Sequence, residues 1–274
     1  MLWPIQSGRT RVITNSGIVG TTTPGTGVPS NATTLLEGAV TELISAANNN
    51  QDSWGIWVSI SNTGGSANAS EAKLDVLIGG ATDDVLIENL ICGYSSATKI
   101  GVNYFFPLHV PGGVRLAAQL ASVRTSITSQ VLVYLFGGVE PPFRVGRKVK
   151  TYGTAINGAR GQAVTPTTNG GAASVTEMIA STAEDHFAFL PGFQPATDTT
   201  VNNGVANIGI GVGASTEDRI GTWWYERDST EDCGGPFPSM PAFFNAPSGS
   251  RLTMLASNSG ANDAAYDGHI YAVS

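Results

Sequence analysis

Three consecutive aromatic residues beside a run of acids are the strongest chemical feature of this sequence. Trp223, Trp224 and Tyr225 stand directly before the acidic stretch 226–232. Further aromatic residues follow the acids: Phe237, Phe243 and Phe244. Ligand sites combine aromatic surfaces with a few polar groups, so Trp223, Trp224 and Tyr225 could form a sugar-stacking platform. Such a cluster more often forms a core or an interface, and that alternative stays open.

The acidic stretch itself raises the question of a metal. Hard cations such as calcium take several oxygen ligands, which residues 226–232 could offer. The spacing of these acids does not match an EF-hand loop, however. We therefore expect no bound metal and no other cofactor, with calcium at this loop as the alternative.

Catalytic signatures are missing from the sequence. The histidines are His109, His186 and His269, and His186 follows two acids. The sequence contains no Gly-x-Ser-x-Gly elbow, no His-Glu-x-x-His motif and no phosphate loop. Pairs of carboxylates can hydrolyse glycosides, but the close pairs here stand in turns. We expect no enzymatic activity, with an enzyme acting on polysaccharides as a weaker alternative.

Charge and cysteine content narrow the class of protein further. The net charge is −7, whereas nucleic-acid binders usually present a basic face. Cys92 and Cys233 could form one disulfide, although two free thiols are favoured, and a zinc site would need more ligands. We expect no membrane insertion, because no run of 18 apolar residues occurs, and no signal peptide is evident. Four clustered basic residues suit a linker or a contact with an acidic neighbouring subunit: Arg144, Arg147, Lys148 and Lys150.

The elements that position these residues occur twice. Similar segments recur in the same order at offsets of 133 to 137 residues, which random similarity would not maintain. The matched segments include 40–44 with 175–179, 80–84 with 213–218, and 111–116 with 247–252. We interpret residues 1–137 and 138–274 as two copies of one unit.

Each copy begins with a leader and continues with a body. The leaders are rich in Gly, Thr and Pro, and the bodies contain short runs typical of strands, separated by turn residues every 8 to 15 positions. The prediction is an all-β protein with two tandem antiparallel β-sandwich (jelly-roll-like) domains, each preceded by an extended leader arm. The predicted boundaries are 1–37 for the N-terminal arm, 38–137 for the first sandwich, 138–172 for the linker and second arm, and 173–274 for the second sandwich. Residues 35–47 could form a helix, but a strand is preferred because the second copy has β-branched residues there.

One turn recurs before a strand that opens with Arg-Leu. Its residues are Pro111, Gly113 and Arg115 in the first copy, and Pro247, Gly249 and Arg251 in the second. Proline fixes φ and glycine permits positive φ, so both segments predict a tight turn. For the two arginines a structural role is favoured over ligand binding. The expected partners are the acids of another recurring turn: Asp83, Asp84, Glu217 and Asp218.

This combination resembles the structural proteins of tailed-bacteriophage particles. The resemblance covers the whole chain and rests on low charge, many small polar residues, leader arms, and the steps Pro-Gly-Gly-Val-Arg-Leu (111–116) and Pro-Ser-Gly-Ser-Arg-Leu (247–252). Families of this kind include capsid-decorating proteins and components of the tail or adsorption apparatus. Tandem jelly-roll major capsid proteins are a poorer match, because each half is short.

The resemblance implies a function and partners. It implies a non-enzymatic structural component on the exterior of a virion, assembled in the host cytoplasm. Its partners would be other virion proteins and further copies of itself, as a trimer or ring, with the leader arms bound to neighbouring subunits. A receptor-binding or carbohydrate-binding module that contacts host surface glycan is the alternative.

Overall fold

The protein is all-β, and strands account for every regular element that can be described. The computed structural model describes residues 10–14, 25–62, 72–80, 82–92, 101–138, 141, 143–153, 161–195, 204–213, 217–227, 239–260 and 266–274. Within these ranges there is no helix, and so none that could cross a membrane. The all-β prediction is confirmed, and the segment 35–47 contains a strand rather than a helix.

The described residues form eighteen strands. The first copy contributes β1 (Thr10–Thr14), β2 (Thr26–Pro29), β3 (Thr41–Ile44), β4 (Ser53–Asn62), β5 (Ala72–Gly79), β6 (Asp83–Ile91), β7 (Gly101–Phe106), β8 (Arg115–Ser122) and β9 (Thr128–Gly138). The second copy contributes β10 (Val149–Tyr152), β11 (Gln162–Val164), β12 (Ser174–Ile179), β13 (His186–Pro195), β14 (Gly204–Gly213), β15 (Asp218–Arg227), β16 (Ala242–Ala246), β17 (Arg251–Asn258) and β18 (Tyr266–Val273).

Both copies have the same strand order. In the first copy β1-β9-β4-β7 form one layer, with β2 also on β9, and β3-β8-β5-β6 form the other. In the second copy the orders are β10-β18-β13-β16, with β11 on β18, and β12-β17-β14-β15. Even a bulge is repeated, between Glu42 and Ile44 in β3 and between Glu177 and Ile179 in β12. The repeated topology agrees with an internal duplication.

The leaders contribute strands to the sandwiches, and here the structure differs from free-standing arms. β1 and β2 pair antiparallel with β9, and β10 and β11 pair antiparallel with β18. Their backbone donors and acceptors are therefore used within the chain. Composition could not reveal this, because a Gly- and Thr-rich segment pairs through its backbone and leaves little side-chain pattern.

The pairing of β10 with β6 fuses the two copies. β10 lies parallel beside β6, with Val149 opposite Ile87, so one layer of each copy joins into a nine-stranded sheet. The five-stranded sheet of β1, β2, β4, β7 and β9 and the four-stranded sheet of β12, β14, β15 and β17 complete the fold. Every residue of β18 is buried, because β18 is covered on both faces.

The two smaller sheets pack on opposite faces of the nine-stranded sheet. Tyr271 of β18 packs against Tyr104 and Phe106 of β7, with ring centroids 5.4 and 6.0 Å apart. On the other face, a Cβ added to Gly268 would lie 2.6 Å from Met254 Sδ of β17. Alternate residues of a strand point to opposite faces, so β18 belongs to the hydrophobic interior on both sides.

Candidate functional site

The recurring turn is held in the same way in both copies. Gly113 and Gly249 have φ values of +76° and +87°, which glycine adopts without steric cost. The backbone N–H of Gly112 donates to Asp52 Oδ1 at 2.8 Å, and that of Ser248 donates to Asp185 Oδ1 at 2.7 Å. The bond from Gly112 holds the pKa of Asp52 below its ordinary value. These contacts fix where β8 and β17 begin.

The two arginines of this turn form ion pairs with acids of the other recurring turn. Arg115 Nη2 lies 2.7 and 2.5 Å from the two carboxylate oxygens of Asp83. Arg251 Nε donates to Glu177 Oε2 at 2.6 Å, and its Nη1 contacts Glu217. The pKa of each guanidinium is raised by these hydrogen bonds. Arg115 of β8 therefore reaches across β5 to β6, and Arg251 of β17 contacts both β12 and the residue before β15.

The expected platform at Trp223, Trp224 and Tyr225 does not exist as one surface. Trp223 and Tyr225 are buried, and only Trp224 is exposed, at 60% of its surface. Consecutive residues of β15 point to opposite faces, so three in a row cannot share one. The buried pair has internal partners as well: Trp223 Nε1 donates to the Met240 carbonyl at 3.0 Å, and the Tyr225 hydroxyl donates to the Pro191 carbonyl at 2.8 Å.

An aromatic depression lies elsewhere, at the end of the nine-stranded sheet. It measures about 630 Å³, and the described residues that line it are Arg144, Phe187, Phe243, Phe244 and Asn245. Phe243 and Phe244 of the edge strand β16 are 49% and 37% exposed, and Phe187 of β13 is buried beneath. Phe243 also packs on Phe143, with centroids 5.8 Å apart. The sequence indicates Phe243 and Phe244 as part of an aromatic surface, but no pattern in it places Arg144 beside residues about a hundred positions away.

The positively charged side chain of Arg144 lies in this depression. The Arg144 guanidinium carbon lies 4.5 Å above the centroid of the Phe187 ring, a cation–π arrangement. Its Nη1 donates to Asn245 Oδ1 at 3.4 Å. Among the residues that the structure places, no carboxylate lies within 4 Å of this guanidinium. The four basic residues predicted as one cluster thus have different contacts. Arg144 lies on the Phe187 ring, whereas Lys148 pairs with Glu184 at 3.1 Å and Lys150 pairs with Glu88 at 2.8 Å.

A second group of polar side chains lies at the junction of the two copies. Asp75 Oδ1 accepts a 2.6 Å bond from the Asn89 backbone N–H. Burial, together with the neighbouring Glu37 carboxyl, raises the pKa of Asp75 to about 7, although the bond from Asn89 acts to lower it. Burial lowers the pKa of Lys73, whereas the charges of Asp75 and Asp267 act to raise it. These groups tie β5, β6 and β18 together in the interior.

The remaining candidates have structural surroundings where they are described. The His186 ring nitrogen Nε2 lies 2.7 Å from the Tyr152 hydroxyl, and His269 Nδ1 lies 3.2 Å from the Asn89 carbonyl. His109 lies 3.7 Å from Asp52 at the surface. Burial raises the pKa of the Cys92 thiol, which favours its protonated form. Cys233 and most of the acidic stretch, residues 228–232, lie outside the described residues.

Metal-binding geometry is also missing from the described ranges. No three His, Cys, Asp or Glu side chains there are grouped to hold an ion. The depression at Phe243 and the ion pairs of Arg115 and Arg251 are thus the candidate features of the described residues. The first is open to a ligand, and the second is engaged within the chain.

Comparisons with known proteins return similarities of structure alone. No family model matches the sequence, and no curated protein matches it. PNGF-II in a C2 crystal form has a TM-score of 0.39 and 5% identity over 90% of this chain, which spans 64% of the length of PNGF-II. The tandem CBM22 domains of Paenibacillus barcinonensis Xyn10C score 0.28 at 12% identity, over 97% of this chain and 92% of theirs. A chain of Broad Bean Stain Virus has a TM-score of 0.34 and 8% identity. The match covers 90% of this chain and 87% of the viral chain. All three scores lie below 0.5, so a function must be argued from this chain's own residues.

Proposed function

We propose that the protein is a non-enzymatic structural component on the exterior of a tailed-bacteriophage particle. The fusion of two equivalent sandwiches through β6 and β10 carries the proposal. A rigid tandem unit presents the same surface twice in a fixed relation, which suits binding at two quasi-equivalent positions of an assembly. The low-charge composition and the resemblance of the sequence support the same assignment.

Equivalent strand edges are the surfaces through which such a unit would assemble. β3 ends the nine-stranded sheet and β12 ends the four-stranded sheet, and these two strands correspond in the duplication. An exposed valine recurs at both edges: Val40 precedes β3 and Val175 lies in β12. Open edges accept strands from other chains, and exposed apolar side chains add surface to bury. These edges replace the leader arms as the proposed contacts.

The experiment compares incorporation of edge variants into phage particles. Val40→Lys combined with Val175→Lys should remove most of the protein from purified particles, because the lysines oppose strand pairing. Asn207→Lys, at another exposed position of the second sandwich, is the matched control and should be incorporated normally. Circular dichroism verifies that all variants fold. Wild-type protein absent from purified particles would overturn the proposal, and normal incorporation of the double variant would overturn the role of the edges.

The non-enzymatic part of the proposal has its own measurement. Purified protein incubated with host envelope glycan should release no new reducing ends. Steady release of reducing ends would contradict this part of the proposal.

A further inference from the structure

The open depression at β16 has the composition of a ligand site. Phe243 and Phe244 both line it although they are consecutive, because a bulge of β16 between Phe243 and Ala246 interrupts the alternation of the strand, and Arg144 and Asn245 line it as well. Small-molecule sites are concave and largely apolar, with a few polar groups that set orientation. The residues come from three separate parts of the chain, the second leader, β13 and β16, so the fold assembles the depression.

The position of Arg144 selects the charge of the occupant. The guanidinium is held between the Phe187 ring and Asn245 Oδ1, and Arg144 is exposed. Arg147 nearby is exposed, and Lys148 is neutralised by Glu184 at 3.1 Å. In a chain of net charge −7 this is a local excess of positive charge. Arginine forms bidentate hydrogen bonds with carboxylates, so an anionic planar group fits the site.

The phenyl rings select the remainder of the ligand. Phe243 and Phe244 keep large parts of their rings in contact with water, although residues of this size usually gain free energy by burial. A pyranose ring has an apolar C–H face that can cover a phenyl ring while its hydroxyl groups remain hydrated. The amide of Asn245 adds a hydrogen-bonding group at the rim.

From these contacts we propose that the depression binds a pyranose that carries a carboxylate, as a unit of an acidic polysaccharide. Arg144 pairs with the carboxylate, Phe243 and Phe244 stack on the sugar ring, and Phe187 holds the guanidinium in place. The proposal is independent of the position of the protein in a particle. The site lies on β16, away from the edges β3 and β12.

Calorimetric titration of the full-length protein with a short polygalacturonate tests the proposal. The same oligosaccharide with its carboxyl groups reduced to alcohols is the matched probe. The acidic probe should bind at low salt and weaken as salt rises, and the reduced probe should bind at least tenfold more weakly, since a charged hydrogen-bonded pair is lost. Equal binding of both probes, or no binding of the acidic one, would overturn the proposal.

Variants separate the site from the general charge of the surface. Arg144→Gln and Phe243→Ala should each weaken binding of the acidic probe by about tenfold or more. Arg144→Lys should restore only part of it, because lysine lacks the planar fork. Arg147→Gln removes a neighbouring charge, and Trp224→Ala removes an exposed aromatic residue elsewhere, so both should bind nearly as wild type. Loss through Arg147→Gln equal to that of Arg144→Gln would show non-specific charge attraction and reject the site.

Discussion

Gly113 and Gly249 show at the residue scale how the duplication preserves a conformation while its surroundings change. The turn is Pro-Gly-Gly in the first copy and Pro-Ser-Gly in the second, so the proline and the last glycine are common to both. That glycine is the one with positive φ. An L-residue there places Cβ too close to the backbone, whatever space surrounds it.

Alanine at this position should therefore destabilise both copies through the backbone alone. A Cβ added to Gly113 or Gly249 meets nothing within 4 Å, so no clash with a neighbour contributes. Gly113→Ala and Gly249→Ala should each lower the free energy of unfolding by about 1–2 kcal/mol, measured by urea denaturation. Gly80→Ala is the control, because a Cβ there is equally free of neighbours and the φ of Gly80 is not positive. If Gly80→Ala lowered the free energy of unfolding by the same amount, the cause would be something other than the positive φ.

The strands themselves follow from sequence patterns, but several of their partners do not. Ile56, Val58 and Ile60 alternate with polar or half-exposed residues, and β4 has this periodicity in the structure. The prediction of a platform at Trp223, Trp224 and Tyr225 was wrong because of the same rule. Alternation requires that Trp224 faces away from the other two residues. Applied there, the period of two would have predicted a single exposed tryptophan.

Contacts between distant elements were beyond the reach of the sequence. The pairing of β10 with β6 depends on backbone groups and a parallel register, and neither leaves a side-chain signature. Arg144 and Phe243 likewise come together in the depression because of the strand order, and their spacing in the sequence does not predict it. Buried aromatic residues at the junction, such as Tyr271, read as ordinary core residues of one sandwich in the sequence.

Tyr271 of β18 packs on β7 and also forms hydrogen bonds with β6. The backbone N–H of Ile91 donates to the Tyr271 hydroxyl at 2.8 Å, in a region sealed from water. Tyr271→Phe leaves this buried donor without its partner, and the free energy of unfolding should fall by about 1–3 kcal/mol in urea titrations. Tyr134→Phe, at a half-exposed tyrosine of β9, is the matched control and should change little. Unaltered stability in Tyr271→Phe would mean that this bond does not hold the junction.

At the scale of the whole molecule, the two copies share one interior. β18 packs on the five-stranded sheet through one face and on the four-stranded sheet through the other. Neither sandwich can lose β18 without exposing its own apolar side chains, among them Tyr104 and Phe193. Sequence duplication thus produced two similar units that are no longer separable in packing. This arrangement also fixes the relation between the edges β3 and β12, as the proposed role in assembly requires.

A shared interior predicts that the protein unfolds as one cooperative unit. Independent domains joined by a linker unfold in separate transitions, whereas copies that bury a common strand lose their cores together. Differential scanning calorimetry should show one transition, with the calorimetric enthalpy close to the van't Hoff enthalpy. Tyr271→Phe should lower the temperature of that whole transition, and Gly113→Ala and Gly249→Ala should do the same although they lie in different copies. Two resolved transitions, with each glycine variant moving only its own, would show that the copies fold independently despite the nine-stranded sheet.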